Sequence, residues 1–453
     1  MHQDMTQGSI LPVILRFTFS LFIGNVFQQF YNMADTIIVG RYLGAAALAA
    51  VGATSTVSFL LLGFAMGLAA GFAVLTAQRF GAGDRDGVRI SVASGIMLTV
   101  IFSALLTLAG LALVPRLLVA MNTPADILAD AQKYMMIICR GLAASMFYNL
   151  LSSFLRSVGN SRAPLFFLVL SSGLNIFLDA FFIIRFGMGV DGAALATVLS
   201  QAVSSLLCLV YILLFVPVLL PGRNHWRFHR EAAAHQLRMG VPMALQFSVT
   251  AVGTVVMQSA VNLFGSMAVA GFIAAWRLQN VLTQGMVAMG QTMASFCGQT
   301  FGKKDLPRIR EGVRTAVRVE AVYSIVSGAA VIIFLPVFMR LFFSSAAEME
   351  ALMPWARIYT VETAVFFIPL SMIFIYRNAM QGCSRSFLPL MGGVVEMTAR
   401  VLCALIAMQL HSYYLAAGCD GAAWVTAGLF LFVSYTSMMR ELEEDQRMST
   451  GNA

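Results

Sequence analysis

Long apolar runs recur from one end of the chain to the other, separated by short polar stretches in which Gly, Asp, Arg and Lys gather. Taken as membrane-length helices, the runs predict twelve spans, approximately 10–34, 50–78, 90–114, 134–155, 163–184, 191–217, 238–263, 268–299, 315–339, 356–381, 387–410 and 418–438. The fifth is the most informative. Between Arg162 and Arg185 it holds a single charged residue, Asp179. As a helix it is about 33 Å long, close to the thickness of a bilayer's hydrocarbon core. A carboxylate at that depth is costly unless it faces protein or water, which is why such residues mark ion and proton paths. Asn175 lies one turn earlier on the same face.

Composition narrows the class. Of 453 residues, 59% are hydrophobic and only 11% charged, and the mean hydropathy is +0.81. No soluble domain fits between the spans, so the chain reads as an all-α polytopic membrane protein. The opening residues lack the basic region and small-residue cleavage site of a signal peptide. Six scattered cysteines show no metal-ligand or redox spacing, and no cofactor is expected. The net charge of +8 would suit a nucleic-acid partner, but its distribution points to membrane orientation instead. With the N-terminus cytoplasmic, nineteen Lys and Arg fall in inner loops and the tail and six in outer loops. That asymmetry predicts a plasma-membrane protein with both termini in the cytoplasm, in contact with lipid and not with nucleic acid. A monomer is expected.

The two halves repeat. Gly44 and Gly81 have the spacing of Gly265 and Gly302, at an offset of 221. VDGAALATVLSQ (Val190–Gln201) reappears as CDGAAWVTAGLF (Cys419–Phe430), and RSVGNSR before the fifth span resembles NAMQGCSR before the eleventh. Six spans per half, an even number, imply a parallel repeat: pseudo-symmetric six-helix lobes at 1–222 and 223–453. The basic segment Leu219–Arg238 reads as the linker between them.

Three helices bring oxygen ligands to one depth. Asp35 lies six residues before Arg41, Asp179 six before Arg185, and Thr197 six past Asp191, each about 9 Å into a span. With Asn175 they supply two carboxylates, an amide oxygen and a hydroxyl, a set suited to sodium or to a proton shared between the acids. Buried hydrogen bonding, or an Asp35–Arg41 ion pair, is the structural alternative. At the same offset, Asn175 and Asp179 correspond to Glu396 and Arg400, which can neutralise each other one turn apart. The exchangeable site is therefore expected in the first lobe.

These residues together resemble the multidrug and toxic compound extrusion (MATE) family over nearly the whole chain. The resemblance rests on the twelve spans, Asp35 late in the first, RFGAGDRDGVR after the second, GNSRAP before the fifth, and NIFLD followed by Thr197. It implies export of amphipathic or cationic small molecules by alternating access, in exchange for sodium or protons. It also implies a cation site at Asp35, Asn175, Asp179 and Thr197. Two features depart from the family pattern. Gln246 and Leu370 stand where some members carry a second acidic site, and no proline lies between Pro12 and Asp35 to kink the first helix. Candidate substrate contacts are Phe27, Gln28, Tyr31, Asn32, Gln258, Gln284, Met286 and Met289, since aromatic and Met-rich walls adapt to varied ligands.

Two other functions compete. A flippase for a lipid-linked or peptide substrate would call for more basic residues within the spans. An integral-membrane enzyme would call for a metal cluster or nucleophile–base pair at membrane depth, whereas all five histidines fall in termini, loops or span ends.

Overall fold

A computed structural model describes residues 4–121, 123–342 and 346–451, and among these there is no strand. The first half holds α1 (Ile10–Ala53), α2 (Ser55–Gly81), α3 (Arg85–Ala120), α4 (Ala125–Arg140), α5 (Leu142–Ser157), α6 (Arg162–Ala180) and α7 (Val190–Phe215). The second holds α8 (Arg230–Asn262), α9 (Ser266–Leu282), α10 (Gln284–Gly302), α11 (Leu306–Phe342), α12 (Ala346–Val365), α13 (Phe367–Gly382), α14 (Phe387–Leu410) and α15 (Tyr413–Gly451).

Among the described residues, nine helices are long and apolar enough to cross a membrane. The pairs α4–α5 and α12–α13, bent by 48° and 51°, raise the number to eleven. The remaining expected span, 268–299, consists of α9 and α10, which meet at Thr283. Gln284, Gln291 and Gln299 dilute the apolar content of α10.

The helices form two compact units, Ile23–Phe247 on one hand and Thr6–Phe22 with Ser248 onward on the other. The expected division after residue 222 therefore differs from the observed one in two places, because α1 and α8 each contribute to both units. Early in α1, Ile14 and Phe17 are fully buried and Thr18 donates to Thr292 of α10 at 2.8 Å. Early in α8, Gln236 Nε2 donates to the carbonyls of Phe72 at 3.1 Å and Ser91 at 2.8 Å. The linker is shorter than expected, since α8 begins at Arg230. In the first unit, α2 meets α8 through glycines: a Cβ on Gly71 would lie 2.3 Å from the Gly240 Cα, and one on Gly67 2.5 Å from the Ala244 Cα. Small residues four apart allow backbones to approach this closely inside a membrane.

The repeat is written in the backbone. Gly44 and Gly265 share nearly one conformation, φ 86° and ψ −179° against φ 87° and ψ 175°. Gly83 and Lys304 both have positive φ, followed by Asp84 and Asp305, whose carboxylates accept the Gly87 and Arg308 amides at the starts of α3 and α11. These pairs keep the offset of 221. At the breaks, Gly141 and Phe366, it has become 225. Four extra residues thus enter the second half between Asp305 and Phe366.

Candidate functional site

The first span is helical without interruption from Ile10 to Gly44, so Phe27, Tyr31 and Asp35 follow one another at a helical spacing of four. On α6 the same spacing aligns Ser171, Asn175 and Asp179. Ser171 Oγ donates to the Ser200 carbonyl of α7 at 3.0 Å, and Asn175 Nδ2 to Thr197 Oγ1 at 3.4 Å. Two hydrogen bonds one turn apart thus fix the register of α6 against α7. Thr197 spends its one donor on the Ala193 carbonyl at 3.1 Å, leaving its lone pairs to Asn175, with the Tyr31 side chain close by.

Asp179 is fully buried and Asn175 nearly so. The Asp35 and Asp179 carboxyls lie within hydrogen-bonding reach of each other, near enough for one proton or a cation to be shared between them. Asp35 Oδ1 is itself buried and has no hydrogen-bond donor among the described residues, so the cluster retains acceptor capacity for a cation. All four residues expected to form the ion site, from α1, α6 and α7, therefore lie in one cluster.

Two features escaped the sequence. Tyr134 of α4 stands within electrostatic reach of Asp35, Tyr31 and Asp179 and walls the cluster. Directly after Asp179, α6 widens into a π-helical turn, Phe181–Arg185; such turns are frequent at functional sites.

The candidate substrate contacts divide. Phe27 is 45% exposed and Gln28 donates to Asn32 at 3.3 Å on an exposed face of α1. Gln258 donates to Asn262 on α8, and Gln284 to the Asn280 carbonyl. Met286 and Met289 are 0% and 1% exposed, core residues of the second unit and not wall residues of an open cavity. The Met289 thioether accepts from the Thr18 hydroxyl at 3.6 Å, a packing role that composition could not separate from ligand contact.

The second unit carries charges that compensate one another. Arg400 donates through Nη2 to Glu396 at 3.0 Å and through Nε to Asp420 at 2.9 Å, and Arg377 reaches the other Glu396 oxygen at 2.9 Å. Tyr359 completes the chain by donating to Asp420 at 3.0 Å. Pairing of Glu396 with Arg400, and with Arg377, is what the sequence leads one to expect; Asp420 and Tyr359 enlarge the network.

The correspondence between lobes needs correction. With α6 beginning at Arg162 and α14 at Phe387, and with Pro164 matched by Pro389, the offset here is 225, so Arg400 stands where Asn175 stands in the first unit. Likewise Tyr359 stands in the place of Tyr134. A guanidinium in the second unit thus fills ground held in the first by the ion-ligand cluster.

Known proteins share this architecture. The MatE family model matches residues 21–181 and 242–408. The probable multidrug resistance protein YpnP of Bacillus subtilis is 33% identical over 301 residues, 66% of this chain and 67% of that protein. The FAD transporter of Shewanella oneidensis is 24% identical over 435 residues, 94% of this chain and 92% of its own. A solved MOP superfamily transporter from Pyrococcus furiosus has the same fold, with a TM-score of 0.90 at 24% identity, covering 97% of this chain and 98% of the other. Matched across stretches that carry Asp35, Asn175 and Asp179 in one unit and Glu396 and Arg400 in the other, the chain belongs to the MATE family and is a multi-pass membrane transporter.

Proposed function

We propose that the protein exports amphipathic or cationic small molecules by alternating access, driven by inward movement of sodium or protons through the first-unit cluster. The observation that carries this reading is the close pair Asp35–Asp179 with Asn175 and Thr197 around it and an acceptor left over on Asp35. Two carboxylates in a membrane interior repel each other, and a cation or proton between them removes the repulsion. Loading the site therefore changes how α1, which also carries Phe27, Gln28, Tyr31 and Asn32, packs on α6 and α7. Ion binding is in this way tied to the helix that carries the candidate substrate contacts. No protein cofactor enters the scheme, the excess of basic residues in the expected inner loops supports cytoplasmic termini, and the protein acts as a monomer surrounded by lipid.

The substrate class is tested with inside-out membrane vesicles holding the full chain. Uptake of the lipophilic cation tetraphenylphosphonium is compared with uptake of FAD, the cargo named for the Shewanella relative. The reading predicts gradient-driven uptake of the cation, lost in Asp35→Asn. Uptake of FAD alone would overturn it.

A further inference from the structure

Glu320 lies within α11 and is 2% exposed, and its Oε2 has no hydrogen-bond partner among the described residues. It belongs to neither charge cluster described above. Packed against α11 are α9, α10, α12, α13 and α15, together with the start of α1, whose Phe22 ring meets that of Tyr323 at 6.5 Å and whose one charged residue before Phe22 is Arg16. Between Gln284 and Gly302, α10 has no acidic or basic side chain. Arg377 of α13 is held by Glu396, and Asp420 of α15 by Arg400 and Tyr359. Arg277 lies on α9, and Glu350, Arg357 and Glu362 lie on α12; no ion pair joins Glu320 to any of them among the described residues, and Tyr323 is its titratable neighbour on α11. An ionised carboxylate buried this deeply loses most of its hydration and has no ion-pair partner among the described residues, whereas the neutral acid tolerates the place.

What surrounds Glu320 gives its proton a consequence. Tyr323 donates to the Leu282 carbonyl at 2.6 Å, where α9 ends before α10. Ser324, one turn beyond Glu320 on the same face, donates to the Phe367 carbonyl at 3.2 Å, where α12 gives way to α13 across a 51° bend. Gly328 lets α11 lie close to that bend, since a Cβ there would stand 3.2 Å from the Ala364 carbonyl. Two breaks in neighbouring helices are thus pinned by adjacent residues of α11, within one turn of the orphaned carboxyl.

We propose that Glu320 is a proton-binding site in the second unit, separate from the Asp35–Asp179 cluster, and that its protonation holds the α9–α10 and α12–α13 breaks against α11. Protonated, Glu320 packs as observed. Ionised, it must draw in water, and α11 shifts so that Tyr323 and Ser324 release the two carbonyls. The proton is taken from water and returned to it.

The test uses the purified full chain in liposomes and a hydrophobic carbodiimide, which modifies protonated carboxyls shielded from water. Peptides are mapped by mass spectrometry between pH 6 and 9, and backbone hydrogen exchange is followed at 282–284 and 365–367 after correction for its intrinsic pH dependence. The expected result is modification of Glu320 that is lost as pH rises, together with faster exchange at both breaks. In Glu320→Gln the breaks stay protected at every pH. No modification of Glu320 in the wild type, or break exchange that rises equally in Glu320→Gln, overturns the proposal. The wild-type labelling decides even if the variant fails to fold, and peptides carrying Asp35 and Asp179 are read separately, so failure of one site is distinguishable from failure of the other.

Discussion

Asp35 of α1 and Asp179 of α6, 144 residues apart in sequence, bring their carboxyl groups within hydrogen-bonding reach of each other. Such a pair holds one proton or must be bridged by a cation, so its occupancy is linked to stability. If sodium is the ion, a hundredfold excess over its dissociation constant stabilises the wild type by about 2.7 kcal/mol. Asp179→Asn keeps a donor for Asp35 and is expected to unfold near the wild-type temperature, without that ion-dependent gain. Thermal unfolding in detergent across sodium and pH titrations checks both parts.

Thr197 contributes through one hydroxyl that links α6 to α7 and lies beside Tyr31. Thr197→Ala removes hydrogen bonds that each contribute about 0.5–1.5 kcal/mol, so the ion concentration giving half-maximal transport should rise roughly twofold to tenfold. Thr197→Ser should restore it. Equal values in all three proteins would remove Thr197 from the site.

Arg400 and Glu396 are not equivalent partners. Loss of Arg400 strands Asp420 without its cation and leaves Glu396 with Arg377 alone, whereas loss of the Glu396 charge leaves Arg400 paired with Asp420. Breaking a buried pair from one side costs about 3–5 kcal/mol. Arg400→Gln should therefore lower the unfolding temperature more than Glu396→Gln, and neither should alter which ion drives transport. A Glu396→Gln protein of normal stability that has lost ion dependence would contradict a structural role for the network.

Gly44 and Gly265 take a backbone conformation in which a side chain is strained, although nothing lies within 4 Å of either Cβ position. Gly44→Ala and Gly265→Ala should each cost about 1–3 kcal/mol through backbone strain alone. Because the strain lies in the backbone, it arises with any side chain, and similar losses at both positions are expected from the repeat. Denaturation of each variant against the wild type measures it.

Much of this was legible in the sequence because the signals are local. Apolar length predicted the spans, and intervals of six residues from the flanking polar residues placed Asp35, Asp179 and Thr197 at one depth. What was not legible depends on where helices break. The α9–α10 break at Thr283 follows no proline, and the exchange of α1 and α8 between units needs three-dimensional contacts. The four residues added before Phe366 shift the offset silently, so Arg400 was matched to Asp179 when it stands at Asn175. The DGAA repeat misleads in the same way: Asp191 lies in the first turn of α7, but Asp420 comes seven residues into α15, deep enough to need Arg400. Glu320 passed unnoticed because Arg318 beside it reads as the end of an inner loop. Met286 and Met289 show the limit of composition, since a core methionine and a ligand-binding one look alike in sequence.

The most direct measurement is efflux of ethidium from proteoliposomes under an imposed sodium gradient and, separately, an imposed proton gradient, with wild type and Asp179→Asn side by side. The account predicts that at least one gradient accelerates efflux by the wild type and that neither accelerates the variant. Equal gradient-driven efflux by the two proteins would contradict the central claim that the Asp35–Asp179 cluster couples the ion to export.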